Sequence, residues 1–393
     1  MEKHLIIHYG ELGLKGGNKE YFQSVLRKNV IIGLRAIGIK SDVQLILGRF
    51  VSKIPAKFDE TVLYDAMMHI PGIENFGFFY KTEMDFDKIA KALVKHLPKK
   101  EIKKRGLKTF CVRVKKSQEK MPFDRLEAER DFGAVLWEAG IGLGVDLESP
   151  DLNVLIEVFG DNAYFTFDKF KGLGGLPVGT AGKVLSLISS GFDSPVAAFR
   201  MMKRGAKVCF VHFSGQPYSK REESEHVKEI VKILSRYQTE SRLFVVPFGE
   251  IQKKISMNLK IPARLRVVLY RRMMLRIAER IAFKEHAKAL VTGDSLGQVA
   301  SQTLINIATI NSVATLPVLR PLIGMDKEEI IAESVRIGTH DISRLPCTDT
   351  CSLFTPKAPE TAAKIDEVID AEKTFDVEEF ISKAFVGAEK FIL

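Results

Sequence analysis

The spacing of apolar residues along the chain changes character near residue 171. Before that point, an apolar run at His4–Tyr9, a 3.6-residue periodicity over Lys19–Ala36 and a second run at Val43–Leu47 predict strand, helix, strand. From about 60 to 170 the same reading predicts helices at Glu60–His69, Asp85–His96 and Arg125–Glu138. Strands are expected at Thr109–Val114, Asn153–Phe159 and Ala163–Phe167, with Gly160-Asp161-Asn162 as a hairpin turn. The glycine-rich stretch Lys171–Gly182 reads as a connector. Beyond it, strands at Val184–Ile188, Lys207–His212, Leu243–Pro247 and Ala289–Thr292 alternate with helices at Pro195–Arg204, Arg221–Tyr237, Arg264–His286 and Lys327–Ile337. That alternation predicts an α/β fold with a doubly wound parallel sheet, whose ligands bind past the carboxyl ends of the strands. The expected domains are 1–59, 60–170 and 171–393.

One such strand end carries the strongest chemical signal. In LSLISSGFDSPVAAFRMMKRG (Leu185–Gly205) an apolar strand runs into Ser189, Ser190 and Gly191, then Asp193 and a helix. Ser194 suits the N-cap, Pro195 the first helical position and Gly205 the C-cap. A small-residue loop feeding a helix N-terminus offers N–H groups to a phosphate. On these residues alone an ordinary strand-to-helix turn is equally open. The segment lacks the Gly-Lys-Ser/Thr of a Walker loop and the three spaced glycines of a dinucleotide site.

Three later segments add to it. VTGDSLGQVASQT (Val291–Thr303) places Gly293 after a strand, with Ser301 and Gln302 either in the same cleft or on a solvated helix face. In RPLIGMDKEEII, Asp326 and Glu329 form a capping-box pattern. Lys327 then sits in the first helical turn, where the helix dipole disfavours a cation, so an anionic ligand is expected at that helix start. LPCTDTCSLFTPKAP puts Cys351 in a polar, proline-bounded loop where a thiol can react. Cys347 and Cys351 lack the second pair of a zinc site, and no metal ligand set is expected. Cys111 and Cys209 lie among apolar strand residues and should pack.

Composition narrows the setting. At 393 residues the chain can bury two or three cores, and four cysteines exclude a secreted disulfide scaffold. No apolar run approaches a membrane span, and MEKHLIIHYGE lacks a signal peptide's cleavage site, so a cytoplasmic location without membrane attachment is expected. A formal net charge of +10 favours either a polyanionic partner or plain solubility. Its densest run is Lys99, Lys100, Lys103, Lys104, Arg105 and Lys108, continued by Lys115, Lys116 and Lys120. That run reads as a solvated loop or a phosphate-contacting surface; Lys15 and Arg49 are weaker candidates.

Taken together, these segments resemble the tRNA 4-thiouridine synthetase (tRNA sulfurtransferase) family over essentially the whole chain. YGELGLKGGNKEYF (Tyr9–Phe22) is similar to its opening signature, and SSGFDS to the Ser-Gly-Gly-x-Asp-Ser PP-loop of ATP pyrophosphatases, with Ser190 in place of the first glycine. The remaining motifs follow in the family's order. The resemblance implies ferredoxin-like, THUMP and PP-loop domains. It also implies an ATP- and Mg2+-dependent reaction in which the uridine at the eighth position of tRNA is adenylated, then attacked by a cysteine persulfide.

By the same resemblance Asp193, Lys327 and Cys351 are catalytic. Leu187, Ile188, Ser189, Ser190, Gly191, Ser194, His212, Phe213, Arg271, Gly293 and Gln302 hold the nucleotide. Read without it, Leu187, Ile188 and Phe213 are equally consistent with core, and Arg271 with a salt-bridged face shared with Arg272, Arg276 and Arg280. Lys99–Lys108 becomes a tRNA contact. Some members carry a C-terminal rhodanese-like domain. None follows here before Leu393, so sulfur is expected to reach Cys351 directly from a cysteine desulfurase, with Cys347 resolving the persulfide as a disulfide. A homodimer is implied. A thiamine-pathway sulfur carrier protein is a further partner that some relatives serve. Two other readings stand beside this one: a PP-loop enzyme adenylating another substrate, and an RNA-binding protein with a regulatory nucleotide site.

Overall fold

The computed structural model describes residues 2–55, 57–116, 123–219, 221–346 and 354–393. These fall into two compact units, Met1–Pro177 and Val178–Leu393.

The first unit is built on one mixed sheet. Its strands are β1 (Lys3–His8), β2 (Gln44–Ile46), β3 (Arg49–Ile54), β4 (Asn75–Glu83), β5 (Thr109–Lys116), β6 (Gly144–Val145), β7 (Leu152–Phe159), β8 (Asn162–Thr166) and β9 (Lys169–Lys171). The order is β2-β3-β1-β4-β8-β7-β5-β6, with β9 paired to β4. Strand β4 joins β1 to β8 and so makes one sheet of two α+β blocks. The pattern reading missed it because NFGFFYKTE is a continuous aromatic run without alternation. Phe76 and Phe78 enter one core, while Phe79 enters a smaller cluster with Ile6, Leu155 and Tyr164. Strand β3 was missed as well. Its hairpin turn places Leu47 at φ 45° beside Gly48 at φ 81°, and leucine is no signal for that conformation. The hairpin at Gly160 is present as expected, between β7 and β8.

The second unit holds a six-stranded sheet of β10 (Lys183–Leu187), β11 (Lys207–Ser214), β12 (Arg242–Pro247), β13 (Leu290–Val291), β14 (Val318–Leu319) and β15 (Glu389–Ile392). Its order is β14-β13-β10-β11-β12-β15, parallel throughout except for antiparallel β15. The chain runs outward from β10 through β11 and β12, then returns to β13 on the other side of β10. A doubly wound sheet opens a ligand crevice at such a reversal.

Helices Asp193–Lys203, Glu222–Ser235 and Lys327–Arg336 belong to one layer. In the other layer, the 19-residue helix Arg266–Lys284 packs with Leu304–Asn311, Ile365–Glu372 and Val377–Val386. That long helix buries residues on most of its circumference, including Val268, Leu269, Tyr270, Met273 and Ile277. Arg272 survives there because Glu372 accepts from it twice, at 2.8 and 2.9 Å. Arg276 shares Glu372, and Arg280 pairs with Glu378. The last two helices thus neutralise a basic helix face; neither they nor β15 were expected from the sequence. Cys111 and Cys209 are buried, as expected.

Candidate functional site

Past the carboxyl end of β10 the chain turns through Ser189–Phe192 into helix Asp193–Lys203. This helix starts two residues before the expected Pro195. Ser194 is therefore not its N-cap; that position is Phe192, whose side chain accepts nothing. Ser194 Oγ instead accepts the Ser189 N–H at 2.9 Å and lies 3.2 Å from Ser189 Oγ, tying the loop shut. Pro195 sits within the first turn, where a missing N–H costs little. At the far end Arg204 is the C-cap, and Gly205, at φ 87°, follows it one place beyond expectation. Neither Ser190 nor Gly191 has a positive φ, so serine in place of glycine strains nothing here. A Cβ on Gly191 would meet only Ser189 Oγ, at 3.7 Å, leaving open space above the loop for an anion.

Gly293, at the end of β13, has no such freedom. A Cβ there would lie 2.7 Å from the Ser194 N and 2.9 Å from the Asp193 carbonyl carbon. The two strand ends are thus pressed together through glycine. The segment after Gly293 lies over the loop, and Gln298 Nε2 donates to Asp193 Oδ2 at 2.9 Å. The other oxygen of Asp193 takes Lys327 Nζ at 2.6 Å. The capping box of Asp326 and Glu329 is formed as expected and presents Lys327 in the first turn of its helix. Within the protein, the carboxylate beside Lys327 is thus Asp193. Lys327 also lies over the Phe192 ring, at 5.4 Å from its centroid.

These groups border a cavity of about 500 Å3, well within the range of small-ligand sites. Leu187, Ile188, Ser189, Asp193, Ser194, His212, Phe213, Arg271, Gly293 and Gln302 all line it, and so were brought together as expected. Ile188 and Phe213 are also buried in the unit, so the core and cavity readings hold together for them. Ser301 and Gln302 are buried rather than on a solvated face. Of the other loop residues, Ser190 is buried and Gly191 exposed.

His212 is 1% exposed, and its Nδ1 lies 3.2 Å from the Ile188 carbonyl. Burial, opposed only by that hydrogen bond, drops its pKa to about 4. The ring is thus neutral near pH 7, with Nδ1–H donating and Nε2 left as an acceptor without a partner among the described residues. The unfolded chain would bind a proton near pH 6.5, which the folded chain refuses until about 4. Stability should therefore fall as pH drops from 6.5 towards 4, by up to about 3 kcal/mol from this group, and be unaffected by it above 6.5. Urea midpoints of wild type and His212→Gln across pH 4.5–7.5 check this. The variant should show a flatter acid limb, and an identical slope would sink the assignment.

Among the lining residues that escaped the sequence reading are Asp294, Arg320, Gln298 and Thr292. Asp294 lies three residues past β13 and Arg320 directly follows β14, so the carboxyl-end rule applied to those two strands would have found them. Asp294 Oδ1 accepts Arg271 Nη1 at 2.5 Å, and Oδ2 accepts Thr292 Oγ1 at 2.7 Å and Arg320 Nε at 3.2 Å. Burial raises this carboxyl's pKa, but Arg271, Thr292 and Arg320 outweigh it and hold it at about 2. Arg271 is thus the member of its arginine row that turns to the cavity.

Cys347 and Cys351 lie outside the described residues. The chain on either side of them is placed: Ser343 Oγ donates to the Gly191 carbonyl at 3.4 Å, and Thr355 and Pro359 line the cavity.

In the first unit the basic run is a seven-residue helix, Lys99–Arg105, rather than a loop. Ile102 is its buried anchor, and Gly106 ends it at φ 63°. Lys99 donates to the Ala139 carbonyl at 2.8 Å and Arg105 pairs with Asp168 at 2.6 Å, so both also serve the fold. Lys100, Lys103, Lys104 and Lys108 are exposed. Arg105, Arg113, Lys115 and Lys169 line a second cavity of about 330 Å3, with Asp151 and Asp168. Burial and the nearby Lys115 lower the Lys169 pKa. Sequence reading missed Arg113 and Lys169 because strands far apart in the chain bring them together. Arg49 is a correction: it is buried, lies over the Phe159 ring at 4.4 Å and pairs with Glu157 at 3.5 Å, so it is part of the sheet's packing.

Residues 179–377 match the family model described as Thiamine biosynthesis protein (ThiI). Residues 83–168 match the THUMP domain and 4–77 the ThiI ferredoxin-like domain. A protein of Caldanaerobacter subterraneus subsp. tengcongensis named "Probable tRNA sulfurtransferase" is 40% identical, over 97% of each chain. A protein of the same name from Thermus thermophilus is 39% identical over 99% of this chain and 94% of its own. The crystal structure of a 4-thiouridine synthetase in complex with RNA and bound ATP superposes with a TM-score of 0.90, at 33% identity and full coverage of both chains. Among the described residues no helix is long and apolar enough to cross a membrane.

Proposed function

This chain belongs to the ThiI family of tRNA sulfurtransferases, and from that premise we propose that it converts the uridine at the eighth position of tRNA to 4-thiouridine at the expense of ATP. The observation that carries the reading is one cavity lined by Ser189, Asp193 and Ser194 of the loop and by Thr355 and Pro359 after the Cys351 segment, with Lys327 paired to Asp193.

Each side chain has a task in that reaction. The His212 Nε2 acceptor suits the amino group of adenine, at the base end formed with Leu187 and Ile188. The loop into helix Asp193–Lys203 receives the phosphates at the helix start, whose N-cap residue Phe192 offers no side-chain acceptor to the first-turn N–H groups. Lys327 lets go of Asp193 and neutralises charge on the phosphoryl group as the uridine 4-oxygen attacks the α-phosphorus and pyrophosphate leaves. Among the described residues no group of three His, Cys, Asp or Glu gathers for a metal. A lone carboxylate beside substrate phosphates nevertheless suits Mg2+, which Asp193 would hold and which would screen phosphate charge. In the sequence Cys351 stands four residues before cavity-lining Thr355. The outer sulfur of a Cys351 persulfide would bond to C4 as AMP leaves. Cys347 would then attack Cys351 Sγ, breaking the S–S bond to release 4-thiouridine and leaving a Cys347–Cys351 disulfide for an external thiol to reduce. The sulfur donor is read as a cysteine desulfurase. A thiamine-pathway role and a homodimer remain inferences from family membership.

The tRNA is read as gripping the first unit through phosphates, at Lys100, Lys103, Lys104 and Lys108 with the Arg105–Arg113–Lys115–Lys169 cavity. Reversing the four exposed lysines to glutamate should weaken tRNA binding by roughly tenfold or more at low salt and flatten its salt dependence. Filter binding at several salt concentrations measures this, and unchanged affinity would remove the patch.

The function itself is tested by pyrophosphate release from ATP with and without tRNA, followed by mass spectrometry of the tRNA. Release that depends on tRNA, with one oxygen exchanged for sulfur, is the expected result. Release without tRNA would point to another acceptor, and none at all to a regulatory nucleotide site.

A further inference from the structure

We infer that Asp294 is a positioning residue that holds two arginines, Arg271 and Arg320, on the nucleotide's phosphates, and that Arg320 is a phosphate contact in its own right. The inference rests on the nucleotide reading above and adds to it the way the cavity builds its anion grip.

The geometry supports a clamp rather than a stray ion pair. Asp294 is 4% exposed, and its two oxygens face different guanidinium groups, Arg271 on the long helix and Arg320 after β14. Thr292 Oγ1 occupies one oxygen, and Gln302 Nε2 approaches the other at 3.4 Å. Arg320 is fixed further by its Nη1, which donates to Asn311 Oδ1 at 3.2 Å and to the Val318 carbonyl at 3.3 Å. All of Asp294, Arg271, Arg320, Thr292 and Gln302 line the one cavity. Arg271 and Arg320 thus share one carboxylate while both line the cavity, where their guanidinium donors can meet an anionic ligand.

Placement says which part of the nucleotide that anion is. Asp294 immediately follows Gly293, which is pressed against the Ser194 backbone at the phosphate loop, while His212 stands on the opposite side of β10. The arginine wall therefore meets phosphate, and the base lies towards His212. Arginine's rigid fork also explains why each guanidinium can keep one edge on Asp294 and turn another to the ligand, which a lysine cannot do.

The test compares wild type, Asp294→Asn and Arg320→Gln by calorimetric titration with ATP, AMP and adenosine, alongside tRNA filter binding and thermal midpoints. Arg320→Gln keeps Asp294 paired with Arg271, so it remains decisive should Asp294→Asn fail to fold. Both variants should raise the Kd for ATP and AMP roughly tenfold or more, leave adenosine and tRNA within about twofold, and combine less than multiplicatively in the double variant. Wild-type affinity for ATP in Arg320→Gln would overturn the phosphate contact. An equal loss for adenosine would reduce both residues to packing. If wild type itself binds no ATP, the nucleotide reading falls and this inference with it.

Discussion

In Lys327→Met, tRNA-dependent pyrophosphate release is expected to fall roughly 100- to 1,000-fold, while ATP and tRNA still bind. The reason lies in where the ammonium group sits. Its Nζ is 2.6 Å from Asp193, at the mouth of the phosphate loop, and is held there by a helix start that electrostatics alone would disfavour. The pair is partly exposed, with Lys327 at 44% and Asp193 at 23%, so its loss should barely move stability. The lysine's value is therefore in the reaction, where charge develops on the leaving phosphates. Lys327→Arg keeps the charge on a longer, planar group and should recover only part of the rate. Burst measurement of pyrophosphate with saturating ATP and tRNA checks both variants. Release at the wild-type rate in Lys327→Met would show that the cation serves only to neutralise Asp193.

Gly293→Ala should be nearly as damaging, by a steric route. The new methyl would stand 2.7 Å from the Ser194 N and 2.9 Å from the Ser194 Cα and the Asp193 carbonyl carbon. All three are backbone atoms, which cannot rotate aside as a side-chain tip can. The helix start must move, taking with it Asp193 and the Ser189–Ser194 hydrogen bond that closes the loop. A stability loss of about 1–3 kcal/mol is expected, with ATP affinity down by roughly tenfold or more. Gly191→Ala is the matched control, since its methyl meets only one side-chain oxygen at 3.7 Å and intrudes on the phosphate space rather than the fold. It should weaken ATP while leaving the thermal midpoint alone. A Gly293→Ala protein with unchanged midpoint and ATP affinity would mean that the two strand ends are less tightly joined than this geometry has them.

Much of this was legible along the chain because it is local. Periodicity located helices Lys19–Ala36 and Arg125–Glu138 to the residue, since apolar spacing and flanking turn residues agree there. The capping box around Lys327 is likewise local, since Asp326 and Glu329 stand three residues apart. The motifs of the phosphate loop and of Val291–Thr303 pointed to one cavity because strands of a doubly wound sheet end on the same side. Tertiary structure decided the rest. It moved Ser194 from cap to latch, since a hydroxyl can serve either the helix or the preceding loop and only packing selects between them. It singled Arg271 out of four arginines by giving the others Glu372 and Glu378 from helices some hundred residues on. It put Asp294 between two arginines, and Arg113 beside Lys169, through pairings no window of sequence spans. Backbone propensity and side-chain periodicity act over one or two turns of chain, whereas the partner of a buried charge is chosen by whatever the fold brings within 3 Å.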